Sequence, residues 1–458
     1  MKKIYLLFIT AILISSCNVL DQTSPNDVSE DNVFTSEAGA NSALIGLYNT
    51  LQARDYYGGY YPMMADVYSD VGTAGGFDNV ALQELSDLGV TSSNIFVQQT
   101  WISLYNSINT ANAIIKNVDG IKDEAFTVEE RGHIKGQAFA IRALAHFDVL
   151  RMFGEHWDPS SEFGIPVVLQ KQAASDIVAR STVAETYTAI LNDLNSASSF
   201  IIADDRSQFF VNPIAVKALE ARVNLYNGDM TAAAAAATEV IDDGTFSLLD
   251  GTSFTEIYTA YPSSESIFEL TFDVQNRSAY NSITFSRPLA LRTEVLWLAE
   301  SGLNDFFTAR PGDLRASLVD FVNNDESILP DGRTQKYRGE EARNNPSLIL
   351  RMAEMYLIRA EALGRSSGLA DLNTLRTNRG LAALASGDVP DDESYLNAVL
   401  DERKAELNFE GHRMFDLART GKINEVLGID DYKSIFPIPF REVTATNGIL
   451  VQNPGYDQ

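Results

Sequence analysis

The chain of 458 residues has a single cysteine, only four histidines and far fewer basic than acidic side chains. One cysteine cannot pair within the chain, which excludes a disulfide framework. His133, His146, His156 and His412 form neither an HxH nor an HExxH pair, so the spacing a zinc site needs is missing. GxGxxG and GxxxxGK[ST] are absent, which removes the usual nucleotide signatures. No cofactor is expected. Against 62 Asp and Glu stand 35 Lys and Arg, a formal charge of −27. Nucleic acid needs Lys and Arg patches to meet its phosphates, so it is not an expected partner. Polyanionic ligands are weakly disfavoured for the same reason, and a glycan ligand would lean towards a neutral one. No apolar run reaches the roughly 20 residues needed to cross a bilayer.

What is present begins with the cysteine itself. Lys2 and Lys3 open the chain, an apolar run from Ile4 to Ile14 is broken only by Thr10, and Ser15 and Ser16 precede Cys17. A positive start, a short apolar stretch and small residues before a cleavage point are the layout of a secretory signal. Small residues running directly into cysteine also look like a bacterial lipobox, in which the cysteine is acylated and becomes the first residue of the mature protein. Each buried CH₂ adds about 0.8 kcal/mol of membrane attachment, and stable anchoring takes more than one acyl chain. We therefore expect a signal peptide over 1–16, a lipidated polar tether over 17–35 and one domain over 36–458.

Within that domain the 3.6-residue period dominates, which argues a mainly α fold. Helices are predicted near 36–54, 97–118, 128–153 and 183–197. Residues 211–244 read as a helical hairpin: Pro213 suits a first helical turn, Asn227-Gly228-Asp229 turns, and Ala218, Ala221, Ala232 and Ala236 let two axes approach closely. SLILRMAEMYLIRAEALGRSSGLADLNTLRTNRGL suggests a second hairpin turning at Gly364 to Gly368. Such pairs resemble tetratricopeptide units. Two stretches lack this order, roughly 55–96 and 245–340, and read as loop-rich insertions, with SIFELTFDV as a short strand in the second.

Two constellations could carry chemistry. Glu402, Glu406 and Glu410 share one face of the charged helix SYLNAVLDERKAELNFEGHRMFDLARTGKI. They are either paired carboxylates for glycoside hydrolysis or an ion-pair ladder to a neighbouring helix, to Arg351 or Glu354. The second is aromatic. Tyr56, Tyr57, Tyr60, Tyr61 and Phe77 cluster with Asp66, Asp70, Asp78 and Asn79. A flat ring can cover the C–H face of a sugar while Asp or Asn meets its hydroxyls, so Tyr57, Tyr60, Phe77, Asp78 and Asn79 are candidate carbohydrate contacts. Trp101, Tyr280 and Trp297 are further candidates. For every one of these rings core packing is the competing reading, and Trp157, in a helix-terminating turn, reads as structural.

Taken in order, several motifs resemble one family. They are Cys17-Asn-Val-Leu-Asp-Gln-Thr-Ser-Pro, Trp101-x3-Tyr105-x2-Ile108 with Ala111-Asn112, GQAFAIRALAHFDVLRMFG, ARVNLYNGD, ARPGDLR, RMAEMYLIRAEAL, ERKAELNFEGHRMFDLARTGK, FPIP and QNPGY. The chain resembles the SusD/RagB outer-membrane nutrient-binding lipoproteins of Bacteroidota. The resemblance implies tetratricopeptide-like hairpins as scaffold, an irregular part carrying ligand contacts, and no enzymatic activity. It implies a cell-surface protein, lipid-anchored in the outer membrane, that captures oligosaccharide or polysaccharide, or in some members peptide, for a SusC-like TonB-dependent transporter. A tetratricopeptide adaptor without a small ligand is a further alternative. The anchor is directly testable: Cys17→Ser is expected to abolish incorporation of labelled palmitate and to shift the protein out of the membrane fraction, and a variant still surface-bound would sink the assignment.

Overall fold

The computed structural model describes residues 30–457 apart from 76–78, 174–175, 281–282, 285–286, 290–291, 322–330 and 338–343. Cys17, Phe77 and Asp78 lie outside the described residues. The framework is a succession of packed helices. α1 (Glu37–Leu51) and α4 (Ile95–Asn117) precede α5 (Val128–Phe153) and α6 (Val183–Phe200), while α2 (Tyr60–Val67) and α3 (Val80–Ser86) are shorter. α7 (Pro213–Tyr226) and α8 (Met230–Asp243) follow, then α9 (Met352–Asn378), α10 (Asp392–Leu407) and α11 (Arg413–Arg419). Each long helix packs on the next: α4 on α5, α5 on α6, α7 on α8, α8 on α9 and α9 on α10.

Local chemistry sets the ends. Thr127 with Glu130 and Thr182 with Glu185 form reciprocal capping boxes at α5 and α6. Asn212 caps α7, accepting from the Ala215 N–H at 2.9 Å, with Pro213 at the first helical position. Ala218 and Ala221 of α7, and Ala233, Ala236 and Ala237 of α8, are buried, so the hairpin closes through small side chains. Nearly all of α5 beyond Ile134 is inside. The price of one buried cation there is met by geometry: Arg142 grips Asp193 of α6 with two bonds of 2.7 and 2.6 Å.

The sheet content is small. β1 (Gly72–Ala74) pairs antiparallel with β3 (Trp297–Ala299), and β2 (Ser266–Leu270) with β4 (Ser347–Arg351), the latter with register shifts. Three sequence expectations change here. SLILR is strand β4 rather than the start of a helix, and every residue in it is buried. The Tyr-rich stretch is not all loop, since α2 forms within it and buries Tyr61 to Val67. The charged C-terminal helix is two helices, broken where Phe409 and Gly411 take φ of 60° and 77°. A Cβ on Gly411 would lie 2.4 Å from Pro62 Cα, so glycine is needed there for space as well as for torsion. α9 is two helical segments that meet at Gly364 (φ 68°, ψ 179°), where the sequence places the turn of its second hairpin.

The carboxylate row is an ion-pair ladder. Glu402 accepts from Arg315, at 2.7 Å, and from Arg310 and Arg376. Glu406 meets Arg351 at 2.7 Å, Arg379 at 2.9 Å and Arg315 at 3.2 Å. Glu410 pairs with Lys336 and Arg351, both at 2.7 Å. All three carboxylates are buried and committed to cations, which removes them from general acid–base work. Glu354, the other suggested partner, instead takes Arg222 of α7. Burial alone would raise the carboxyl of Glu406, but Arg379, Arg351 and Arg315 outweigh it and hold it well below the ordinary range; Glu402 and Glu410 are lowered likewise. An unfolded glutamate binds its proton first as the pH drops, so this stabilisation is complete above 4.5 and is lost as the pH falls below it. Removing one partner strands the others, so Glu406→Gln should cost about 3–5 kcal/mol in urea unfolding at pH 7. That difference should shrink at pH 3; a difference constant between the two pH values would contradict the ladder.

Candidate functional site

The aromatic candidates from the sequence are mostly interior. Tyr56 and Tyr61 donate their phenol O–H groups to Asp148 of α5, at 2.6 and 3.0 Å. Tyr57 stacks against Tyr56 with centroids 4.6 Å apart and is itself buried. Tyr280 donates to the Tyr57 carbonyl at 2.9 Å and stacks on Tyr337 at 4.1 Å. Trp297 is 0% exposed, packed on Phe409 at 5.0 Å. These rings have no free face for a sugar, and their common role is to lock the loop-rich part onto the helices. Trp101 is 4% exposed and T-shaped against Phe153, with one edge on a shallow groove of about 290 Å³ beside Tyr105 and Pro166. Asn79 is the N-cap of α3, accepting from the Leu82 N–H at 3.1 Å.

The acidic members of the cluster are also structural. Asp66 is buried and accepts the Gly411 N–H at 3.2 Å, with burial pushing its carboxyl up to about 7. Asp70 is half-buried, which would raise its carboxyl, but Arg413 and Lys404 overcome that and hold it at about 2. Of the sequence candidates in the described residues, Tyr60 alone keeps a half-buried ring outside the core, edge-on to Phe96.

Beside Tyr60 the end of α1 meets the second insertion. A cavity of about 520 Å³ is lined by Asn49, Gln52, Ala53 and Arg54 on one wall and by Asn276 to Ala279 on the other. Gln52 is a strut, accepting from the Asn276 side-chain amide at 2.8 Å and donating to the Thr271 carbonyl. Arg54 lies over the Tyr60 ring, its guanidinium carbon 5.7 Å from the centroid. Asp55 is half-buried; burial raises its carboxyl while Arg54 pulls it back. The volume is within the range of small-ligand sites, and amides and guanidinium groups suit a ligand made of hydroxyls and oxygen acceptors. Sequence reasoning missed these residues: they are polar, exposed and without period, and only the neighbouring Tyr60 carried a signal.

Comparison with known proteins gives consistent matches. The family model described as starch-binding associating with outer membrane matches residues 18–225, and the model described as SusD family matches 321–434. SusD-like protein P2 of Formosa agariphila is 24% identical over 522 residues, covering 100% of each chain. A SusD superfamily protein from Bacteroides thetaiotaomicron superposes with a TM-score of 0.81 at 22% identity, over 92% of this chain and 100% of its own. A laminarin-binding SusD-like protein gives 0.77 at 25% identity over 92% and 100%. The interior rings give a prediction of their own: Trp297→Ala should cost about 3–5 kcal/mol in denaturant unfolding, and an unchanged midpoint would mean that the ring is not core.

Proposed function

From the premise that this chain belongs to the SusD family, we propose that it captures glycan at the cell surface and hands it to a SusC-like TonB-dependent transporter. On this reading acylated Cys17 holds the protein in the outer membrane, and the polar segment after it is the tether. The successive helix pairs are the tetratricopeptide-like scaffold that faces the transporter. The observation that carries the ligand reading is the cavity between the 49–54 wall and the 276–279 wall. It is rimmed by groups that hydrogen-bond hydroxyls, it is flanked by a partly open tyrosine ring, and its walls are braced before any ligand arrives. The laminarin-binding relative supports carbohydrate as the ligand class. Capture without turnover agrees with a carboxylate row fully engaged in ion pairs.

Isothermal titration of the chain against oligosaccharide and peptide panels tests the reading. Asn49→Ala should weaken oligosaccharide binding about three- to tenfold, the worth of a hydrogen bond, without moving the unfolding midpoint. Saturable peptide binding with no response to any oligosaccharide would replace glycan by peptide as the cargo. Reducing ends released from oligosaccharide would reinstate an enzyme.

A further inference from the structure

The charge of the cavity is opposite to the charge of the chain. The protein carries −27, yet among the described residues no carboxylate lines this cavity and two arginines do, Arg54 and Arg277. The buried arginines of the ladder are each held by carboxylates. Arg54 is exposed and, among the described residues, its guanidinium group has neither ion pair nor hydrogen bond; it lies over the Tyr60 ring and attracts the Asp55 carboxyl next to it in sequence. Arg277 is exposed and gives only its Nε–H, at 3.2 Å, to the Val274 carbonyl, which leaves both terminal nitrogens open. The nearest acids in sequence are Asp55 and Asp273, and neither lines the cavity. Asp273 turns one oxygen to the backbone N–H groups of Gln275 and Asn276, at 2.8 and 2.7 Å, and so is spent on its own loop.

Resting on the reading of this cavity as the glycan site, we infer that its ligand is an acidic oligosaccharide, with an anionic substituent, a uronate carboxylate or a sulfate ester, held between Arg54 and Arg277. A guanidinium group binds such an oxyanion by paired, charge-assisted hydrogen bonds roughly twice as strong as neutral ones. Asn49 and the free Oδ1 of Asn276 then face the ring hydroxyls. The acidic remainder of the chain does not oppose this at ordinary salt, because charges more than about 8–10 Å away are screened. The lean towards a neutral glycan, drawn from net charge, is thereby reversed by the local charge.

The test is titration of the full chain at physiological ionic strength with oligogalacturonides, sulfated carrageenan oligosaccharides, malto-oligosaccharides and laminari-oligosaccharides. At least one acidic set should bind more tightly than both neutral sets, and which one responds tells carboxylate from sulfate. Arg54→Ala and Arg277→Ala should each weaken that binding about tenfold or more, with Arg54→Lys recovering part of the loss, and circular dichroism should be unchanged because both side chains are exposed. Tighter binding of a neutral set, or acidic binding indifferent to both substitutions, overturns the inference and leaves glycan capture standing. Failure of all four sets overturns the glycan reading with it.

Discussion

Arg351 is the point on which the two halves of the molecule are joined. It stands at the junction of strand β4 and helix α9, and all its nitrogens are used. Nε reaches Glu410 at 2.7 Å, Nη1 reaches Glu265 and Glu406 at 3.0 and 2.7 Å, and Nη2 reaches the Glu406 carbonyl and Glu410 at 2.8 and 3.0 Å. Glu265 immediately precedes β2 in the second insertion, whereas Glu406 and Glu410 belong to the C-terminal helical part. Arg379, at the end of α9, repeats the bridge from Glu265 to Glu406. Buried charges are costly to desolvate, so such a network is weak evidence of net stability. Its effect is on uniqueness: a shift of either half would strand several charges at once. That is how a loop-rich insertion is kept in one register on a helical scaffold.

The same logic explains what could be read from the sequence and what could not. An i, i+4, i+8 row of glutamates is a local pattern that spacing leaves open between paired carboxylates and an ion-pair ladder; the partners decide it, Arg351 being one and Glu354 being taken by Arg222. The long helices follow from period and caps, as Thr127 with Glu130 shows. The Tyr-rich stretch did not follow, because tyrosine is equally at home in an open platform and in a core that offers its hydroxyl a partner. That partner is Asp148, 92 residues from Tyr56. SLILR was ambiguous for a different reason: a short apolar run fits a buried strand or a buried helix, and pairing with Ser266–Leu270 decides it. The break at Phe409 and Gly411 is likewise set by a distant neighbour, Pro62, against which the chain turns.

The cavity was illegible for a third reason. Its walls come from segments more than 200 residues apart, and its residues are ordinary exposed polar ones whose meaning lies in their juxtaposition. Net charge says little about such a cavity for the same cause, since it sums over a surface most of which is too distant to act there. What the sequence did locate was the neighbourhood. The rings it singled out are mostly not contacts, but they determine where the contacts stand. Tyr280 is anchored to the Tyr57 carbonyl and to Ser347 of β4, so the segment carrying Asn276 and Arg277 is fixed to the segment carrying Arg54. Gln52 closes the same connection from the other side. A ligand entering such a cavity has little left to order, and the entropy that a loose loop would lose on binding is already spent in folding. The buried aromatics therefore shape the cavity indirectly, by holding two distant polar segments at a fixed separation.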